Sequence, residues 1–269
     1  MRYTIITVTL NNREGLQRTI ESVLNQTSTD FEYIVIDGGS TDGSVELIKS
    51  YQDRLAYWVS EPDKGVYNAM NKGVARATGE YLNFMNAGDS FYADTVLEAV
   101  GAYEGDFLAG DVFRLDSQQV QRYSKHPSFR TLCVYGFNHQ AMFMKRVLFA
   151  EEAYDETLRI LSDWKFVLKH VLQHNATYVP MELVVANFEA AGLSGNMMNL
   201  KRERTQVLSE LLAPSILPDY EFLLLAKSPL LELLPELSET TRIDRYVTGL
   251  VRTILKIRRT LKSLMTYDS

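Results

Sequence analysis

Ser60 to Phe91, SEPDKGVYNAMNKGVARATGEYLNFMNAGDSF, is the stretch on which the fold turns: a loop, a helical segment, a short strand and a polar turn that ends in an acid. Tyr81 to Met85 is apolar and aromatic, the pattern of a buried strand, and it runs out at Asn86, Ala87, Gly88 and Asp89. A carboxylate therefore stands at the C-terminal end of a strand. In open α/β sheets that edge is where ligands bind, because the loops leaving the strand ends form a crevice. A hard cation carrying diphosphate oxygens suits such a turn, with Asp89 as an oxygen ligand, Gly88 allowing close backbone approach and Asn86 offering a neutral carbonyl. An ordinary strand-to-helix connection with Ser90 or Asp94 as N-cap is the plainer reading of the same residues.

Upstream the chain repeats this pattern. Thr4 to Leu10 is a β-branched run apolar on both faces, as in a parallel strand covered by helices on each side. Asn12 can cap a helix whose apolar positions Leu16, Ile20, Val23 and Leu24 recur at helical spacing, and Phe31 to Ile36 reads as the next strand. Asp37, Gly38 and Gly39 open a second helix, Ser44 to Tyr51, and Leu55 to Val59 is a third short strand. The β-α-β-α-β order predicts a doubly wound, mostly parallel sheet that brings Thr9, Asn11, Asp37 and Asp89 to one edge. The first strand leads into LNNREG, so neither a dinucleotide-binding G-x-G-x-x-G nor a G-x-x-x-x-G-K-[ST] phosphate loop is present there.

Downstream, Asp106 to Arg114 and Val120 to Tyr123 read as strands with a bend at Gly110 and Asp111, and Phe137 to Met144, containing His139 and Gln140, as another. Leu161 to Gln173 is helical with Ser162 and Asp163 near its start, and Ala176 to Phe188 is strand-like. Gly192 to Gly195 forms a loop able to close over a bound ligand. The last helix, about Arg242 to Met265, carries an apolar stripe opposite a basic side.

The 269 residues, 46% hydrophobic, suffice for a sizeable core. A net charge of -6 gives no sign of a nucleic-acid partner. The charge is uneven: beyond Thr240 seven Lys or Arg stand against two Asp. The single cysteine, Cys133, excludes an internal disulfide and fits a reducing compartment. Met1 leads straight into an apolar run with no secretory pattern, and no stretch of about 18 apolar residues is present, so a cytoplasmic protein is expected.

Six motifs in order carry a family resemblance. TVTLNNREGL, IVIDGGSTDGS and the stretch through MNAGD resemble the nucleotide-sugar half of a family 2, GT-A fold glycosyltransferase. GFNHQAMFMKR, LSDWKFVLK and VANFEAAGLSG resemble the acceptor half of the subgroup that builds colanic-acid-type bacterial surface polysaccharides. The match covers about residues 3 to 200 and implies a GT-A domain over 1–200, with a donor half to about 92 and an acceptor half from 93, followed by a helical extension over 201–269. Three positions depart from the family pattern: Gly38 follows Asp37 where a second acid is usual, Asp89 is the only acid of its turn, and Met70 replaces an arginine.

The resemblance implies an inverting transferase moving a hexose from a nucleoside diphosphate sugar, UDP before GDP, to a lipid-linked saccharide. Thr9, Asn11, Asp37, Gly38, Asp63, Asn71, Asn86 and Gly88 would hold the donor, and Asp89 a Mn²⁺ or Mg²⁺ ion. His139 would join the catalytic centre, and Asp111, Gln140 and Trp164 would lie toward the acceptor. Asp163, at a helix start and matching the family's acid, is the expected general base. The basic C-terminal helix would dock on the inner face of the cell membrane, or pair with a second copy in a homodimer. The thinned acidic motif suits a different class as well, a non-catalytic sugar-binding scaffold.

Overall fold

A computed structural model of the protein describes residues 1–123, 128–189 and 197–220. The contacts divide the chain into two compact units, Met1–Leu217 and Pro218–Ser269, and the first is the one described below. Two expectations lie outside the described residues: the closing loop around Gly192 and the basic helix from Arg242 to Met265.

The amino-terminal half is built as its hydrophobic pattern requires. Strands β1 (Tyr3–Thr9), β2 (Phe31–Asp37), β3 (Tyr57–Ser60) and β4 (Tyr81–Phe84) alternate with helices α1 (Arg13–Leu24), α2 (Ser44–Tyr51) and α3 (Val66–Val74). They pair in parallel in the order β3-β2-β1-β4. Successive β1 residues go to opposite faces: Ile5 joins Leu16, Ile20, Val35 and Ile48 on the α1 and α2 side, while Ile6 joins Ile34, Ile36, Met70 and Phe84 on the α3 side. Both faces are dry along β1 and most of β2, which is why Ile, Val and Tyr stand on both faces of these two strands rather than on one face only. Ile5, Ile6, Ile34 and Ile36 are fully buried, and each such side chain contributes about 1.5–3 kcal/mol relative to an exposed one. Asn12 caps α1 as expected, its side-chain oxygen accepting the Gly15 N–H.

Beyond β4 the sheet becomes mixed. After β5 (Ser90–Phe91) and α4 (Val96–Val100) come β6 (Phe107–Arg114), β7 (Gln119–Gln121), β8 (Met142–Lys145), α5 (Ser162–Gln173), β9 (Tyr178–Phe188) and α6 (Met197–Leu211). β8 lies antiparallel between β4 and β6, β9 runs parallel to β6, and β5 adds antiparallel to β9. The α/β expectation holds, with its parallel character concentrated in the donor half.

Two local expectations are corrected. Phe137 to Met144 is not one strand: a tight 3-10 turn, His139–Ala141, precedes β8. Its cause is Asn83 on β4, whose buried side-chain amide donates to the carbonyls of both Gln140 and Met142 at 2.9 Å. Nor do Gly110 and Asp111 form a bend between strands. They lie inside β6, where the register with β9 shifts on either side of Asp111.

Candidate active site

The turn after β4 is held from below by α1. Thr19 on α1 donates its hydroxyl to the Asp89 carbonyl at 2.6 Å and accepts the Gly88 N–H at 3.1 Å, and the Asn12 side chain donates to the Ala87 carbonyl at 3.0 Å. Gly88 has φ of 113°, in the left-handed region, and a Cβ there would stand 2.8 Å from a Glu189 carboxylate oxygen. No other residue suits both demands. The Asp89 side chain is buried; one oxygen accepts the Gln140 amide at 2.8 Å and the other the Glu189 backbone N–H at 3.1 Å. Burial pushes the Asp89 carboxyl above its usual value in spite of these bonds.

The 3-10 turn brings His139 over the same edge. Its Nδ1 lies 2.9 Å from an Asp163 oxygen, and its Nε2 3.1 Å from the Asn86 side-chain nitrogen. The other Asp163 oxygen meets the Trp164 N–H at 2.8 Å and the Tyr67 hydroxyl at 2.9 Å. Burial alone would raise the Asp163 carboxyl, but the imidazole, the phenol and the backbone N–H outweigh it and hold the group below its usual value. Burial likewise opposes the charged imidazole of His139, yet Asp163 and the field of Asp89 raise it. Asn86 Oδ1 is buried without a partner while the Asn86 amide nitrogen faces Nε2, an orientation that suits an unprotonated Nε2. Turned over, the amide would present that oxygen to a protonated imidazole, so the turn can accommodate either state of His139. Burial and the Asp163 charge push the Tyr67 phenol well above its ordinary value, which keeps it a donor.

These groups share one cavity of about 620 Å³. Of the residues expected from sequence, Thr9, Asp63, Asn86, Gly88, Asp89, His139, Gln140, Asp163 and Trp164 line it. Asn11, Asp37 and Gly38 sit at the same sheet edge without lining it. Asn11 accepts the Thr41 N–H through its side chain at 2.8 Å, and one Asp37 oxygen accepts from Gly39, Ser40 and Ser60. The other Asp37 oxygen and the Thr9 hydroxyl are buried with no hydrogen-bond partner. A Cβ at position 38 would run into the Asp63 carboxylate, so a second acid there would require the Asp63 side chain to move.

Two expectations fall away from the cavity. The Asn71 amide exchanges hydrogen bonds with the backbone of Tyr154 at 2.9 and 3.0 Å and donates to Glu156, so it fastens α3 to the following segment. Asp111 accepts the Tyr123 N–H at 2.9 Å and lines a separate cavity with Tyr123 and Tyr178. Sequence reasoning had missed Tyr67, whose position in α3 is that of any core aromatic, and Thr19, Arg159, Glu203 and Arg204, which stand in segments with no motif of their own.

The Glycosyl transferase family 2 profile matches residues 4–177. The chain belongs to glycosyl transferase family 2. A PGL/p-HBAD biosynthesis glycosyltransferase of Mycobacterium tuberculosis is 33% identical to this family 2 chain over 207 residues, 73% of this chain and 80% of the relative. S. aureus TarS 1-349 in complex with UDP-GlcNAc superposes with a TM-score of 0.63 at 16% identity, over 78% of this chain and 71% of that one. The family 2 chain spans 43% of the longer TarS chain. The mannosyltransferase PcManGT of Pyrobaculum calidifontis, in complex with GDP-Man and Mn²⁺, gives 0.60 at 18% identity, over 99% of this chain and 84% of that one. The fold is therefore of GT-A type.

Family 2 membership raises the question of a divalent ion. Among the described residues no three His, Cys, Asp or Glu side chains gather as a metal-binding group. Asp89 nevertheless fits the role of a single protein ligand: its oxygens are hard donors facing the cavity, and each accepts one hydrogen bond, leaving a lone pair free.

Proposed function

We propose that the protein is an inverting hexosyltransferase that uses a nucleoside diphosphate sugar, UDP before GDP, and a lipid-linked saccharide acceptor in the synthesis of a bacterial surface polysaccharide of the colanic-acid type. The observation that carries this reading is the meeting on one cavity of an acid from each half: Asp89 in the turn after β4, and Asp163 at the start of α5 with His139 hydrogen-bonded to it.

Inversion requires the acceptor hydroxyl to attack the anomeric carbon from the side opposite the leaving diphosphate. Asp163, on α5, is the proton acceptor in this reading, and His139 holds and orients its carboxylate through Nδ1. Asp89 would hold a divalent ion, whose charge would offset that of the leaving diphosphate. The second Asp37 oxygen, buried without a partner at the same sheet edge, is a charge-assisted acceptor for a base N–H of either uracil or guanine, and the order UDP before GDP is the expectation that calorimetry tests. Gln140, donating to Asp89, and Trp164, beside Asp163, span the two halves of the site.

The test is turnover of a panel of UDP- and GDP-sugars with and without Mn²⁺, on the parent and on Asp89→Ala. Metal-dependent turnover that is abolished in the variant supports the reading. Binding of a nucleotide sugar with no turnover under any condition would leave a non-catalytic sugar-binding scaffold, and tighter calorimetric binding of GDP than UDP would overturn the choice of base.

A further inference from the structure

The acids of the cavity, Asp63, Asp89, Asp163 and Glu189, are answered by two guanidinium groups on its wall, Arg159 and Arg204. Arg159 stands on the acceptor half and Arg204 on α6, where the helical extension begins. Glu189 is neutralised by Arg18 at 2.9 Å, outside this set. Among the described residues neither Arg159 nor Arg204 is ion-paired with a carboxylate.

One buried residue ties together the two segments that bear these arginines. Glu203, on α6 and buried, accepts the backbone N–H of Arg159 at 2.9 Å, of Ile160 at 2.9 Å and of Leu161 at 3.1 Å. The segment bearing Arg159 is thereby fastened to the turn of α6 that bears Arg204. Arg204 is itself fixed: its guanidinium lies 5.0 Å from the centre of the Trp164 ring, and the Trp164 indole N–H is anchored on the Leu132 carbonyl at 2.9 Å. Yet its donors are hardly used. Nη1 reaches the Val134 carbonyl only at 3.4 Å, and Nε is buried with no partner. A guanidinium offers five N–H donors in a fork that matches phosphate, and a buried unmet donor is costly until a ligand satisfies it.

We propose that Arg159 and Arg204 form an acceptor-side anion subsite that takes a phosphate group of the acceptor. The proposal rests on the transferase reading and names what its acceptor must carry. Trp164, under Arg204, directly follows the proposed base, so a phosphate held there leaves the saccharide of the same molecule free to offer its hydroxyl to Asp163. The donor diphosphate is assigned to a different element, the turn after β4. A guanidinium pair with unused forks is also the chemistry that a donor diphosphate would use, so the experiment must separate the two sources.

The full-length protein is titrated by calorimetry with citronellyl diphosphate and with uncharged citronellol, in each case with UDP saturating. The diphosphate is expected to bind alongside UDP, to weaken as salt is raised, and to lose at least about tenfold in affinity in the Arg159→Gln/Arg204→Gln protein, while citronellol does not bind. UDP affinity of that variant should stay within about twofold of the parent, which also shows that it is folded. Arg159→Gln alone, at an exposed position, and Arg204→Lys, which keeps charge but not the fork, should each give an intermediate loss. No binding of citronellyl diphosphate to the parent, equal binding by parent and variants, displacement of UDP by the probe, or a parallel fall in UDP affinity each overturns the proposal. None of these readouts depends on turnover, so absence of transfer, which sinks the transferase reading, is recognised separately.

Discussion

At the scale of single residues, the pair His139–Asp163 determines most of what can be measured. Asp163→Asn keeps the shape and the Tyr67 and Trp164 contacts but cannot take a proton. Transfer should fall by about 10²-fold or more, with donor affinity changed only a few-fold; near-parental transfer by this variant would make Asp163 structural. Tyr67→Phe removes one donor from the carboxylate, so the acidic limb of the rate profile should move to higher pH, and an unmoved limb would show that Tyr67 does not tune the base. Stability should carry the same signature. The lowered Asp163 contributes stability above its unfolded value near about pH 4, lost as pH falls through the folded value, and the raised His139 contributes stability below its unfolded value near about pH 6.5, lost as pH rises through the folded one. The difference in Tm between the parent and His139→Gln should be widest between the unfolded values of the two groups, about pH 4 to 6.5, and should shrink as pH rises past the usual histidine value. A gap that stays constant with pH would show that the two groups are not coupled.

At the scale of elements, the base is only as well placed as the start of α5. Ile160 links the parts: Glu203 of α6 holds its N–H, and its carbonyl accepts the Tyr67 hydroxyl at 2.7 Å, the same hydroxyl that meets Asp163. Glu203→Ala would strip three backbone donors of a charged acceptor, a loss of about 3 kcal/mol on the scale of buried groups left unpaired. Glu203→Gln, which retains one acceptor oxygen, should cost less stability and still lower kcat more than it raises donor KM. If the Gln variant changes stability alone and leaves kcat at the parental value, Glu203 is a structural clamp without influence on the base. The element scale also accounts for Asn71 and Asp111, two polar residues at plausible spacings that serve α3 docking and the β6 register instead.

At the scale of the whole molecule, no helix among the described residues is long and apolar enough to cross a membrane. The basic stripe of residues 242–265 is the expected site of peripheral attachment. A chain ending at Thr240 should float with anionic liposomes less than the full chain, since each Lys or Arg near such a surface contributes about 1 kcal/mol. Equal flotation by both would remove the membrane role and favour pairing with a second copy. The order of strands and helices to Phe84, the cap at Asn12 and the edge that gathers Thr9, Asp37 and Asp89 were legible in the sequence, because dry parallel strands and their helices impose local periodicities that no distant residue can alter. The motif order likewise pointed to family 2. The 3-10 turn at His139 was not legible, since its cause is a buried amide on β4, more than fifty residues away. Nor were Tyr67 beneath the base, the clamp at Glu203 or the joining of Arg159 to Arg204. Each is a hydrogen bond or stacking contact between segments far apart in the chain, and only the packing of α3, on the parallel half of the sheet, against the segments that carry α5 and α6 decides which polar groups meet.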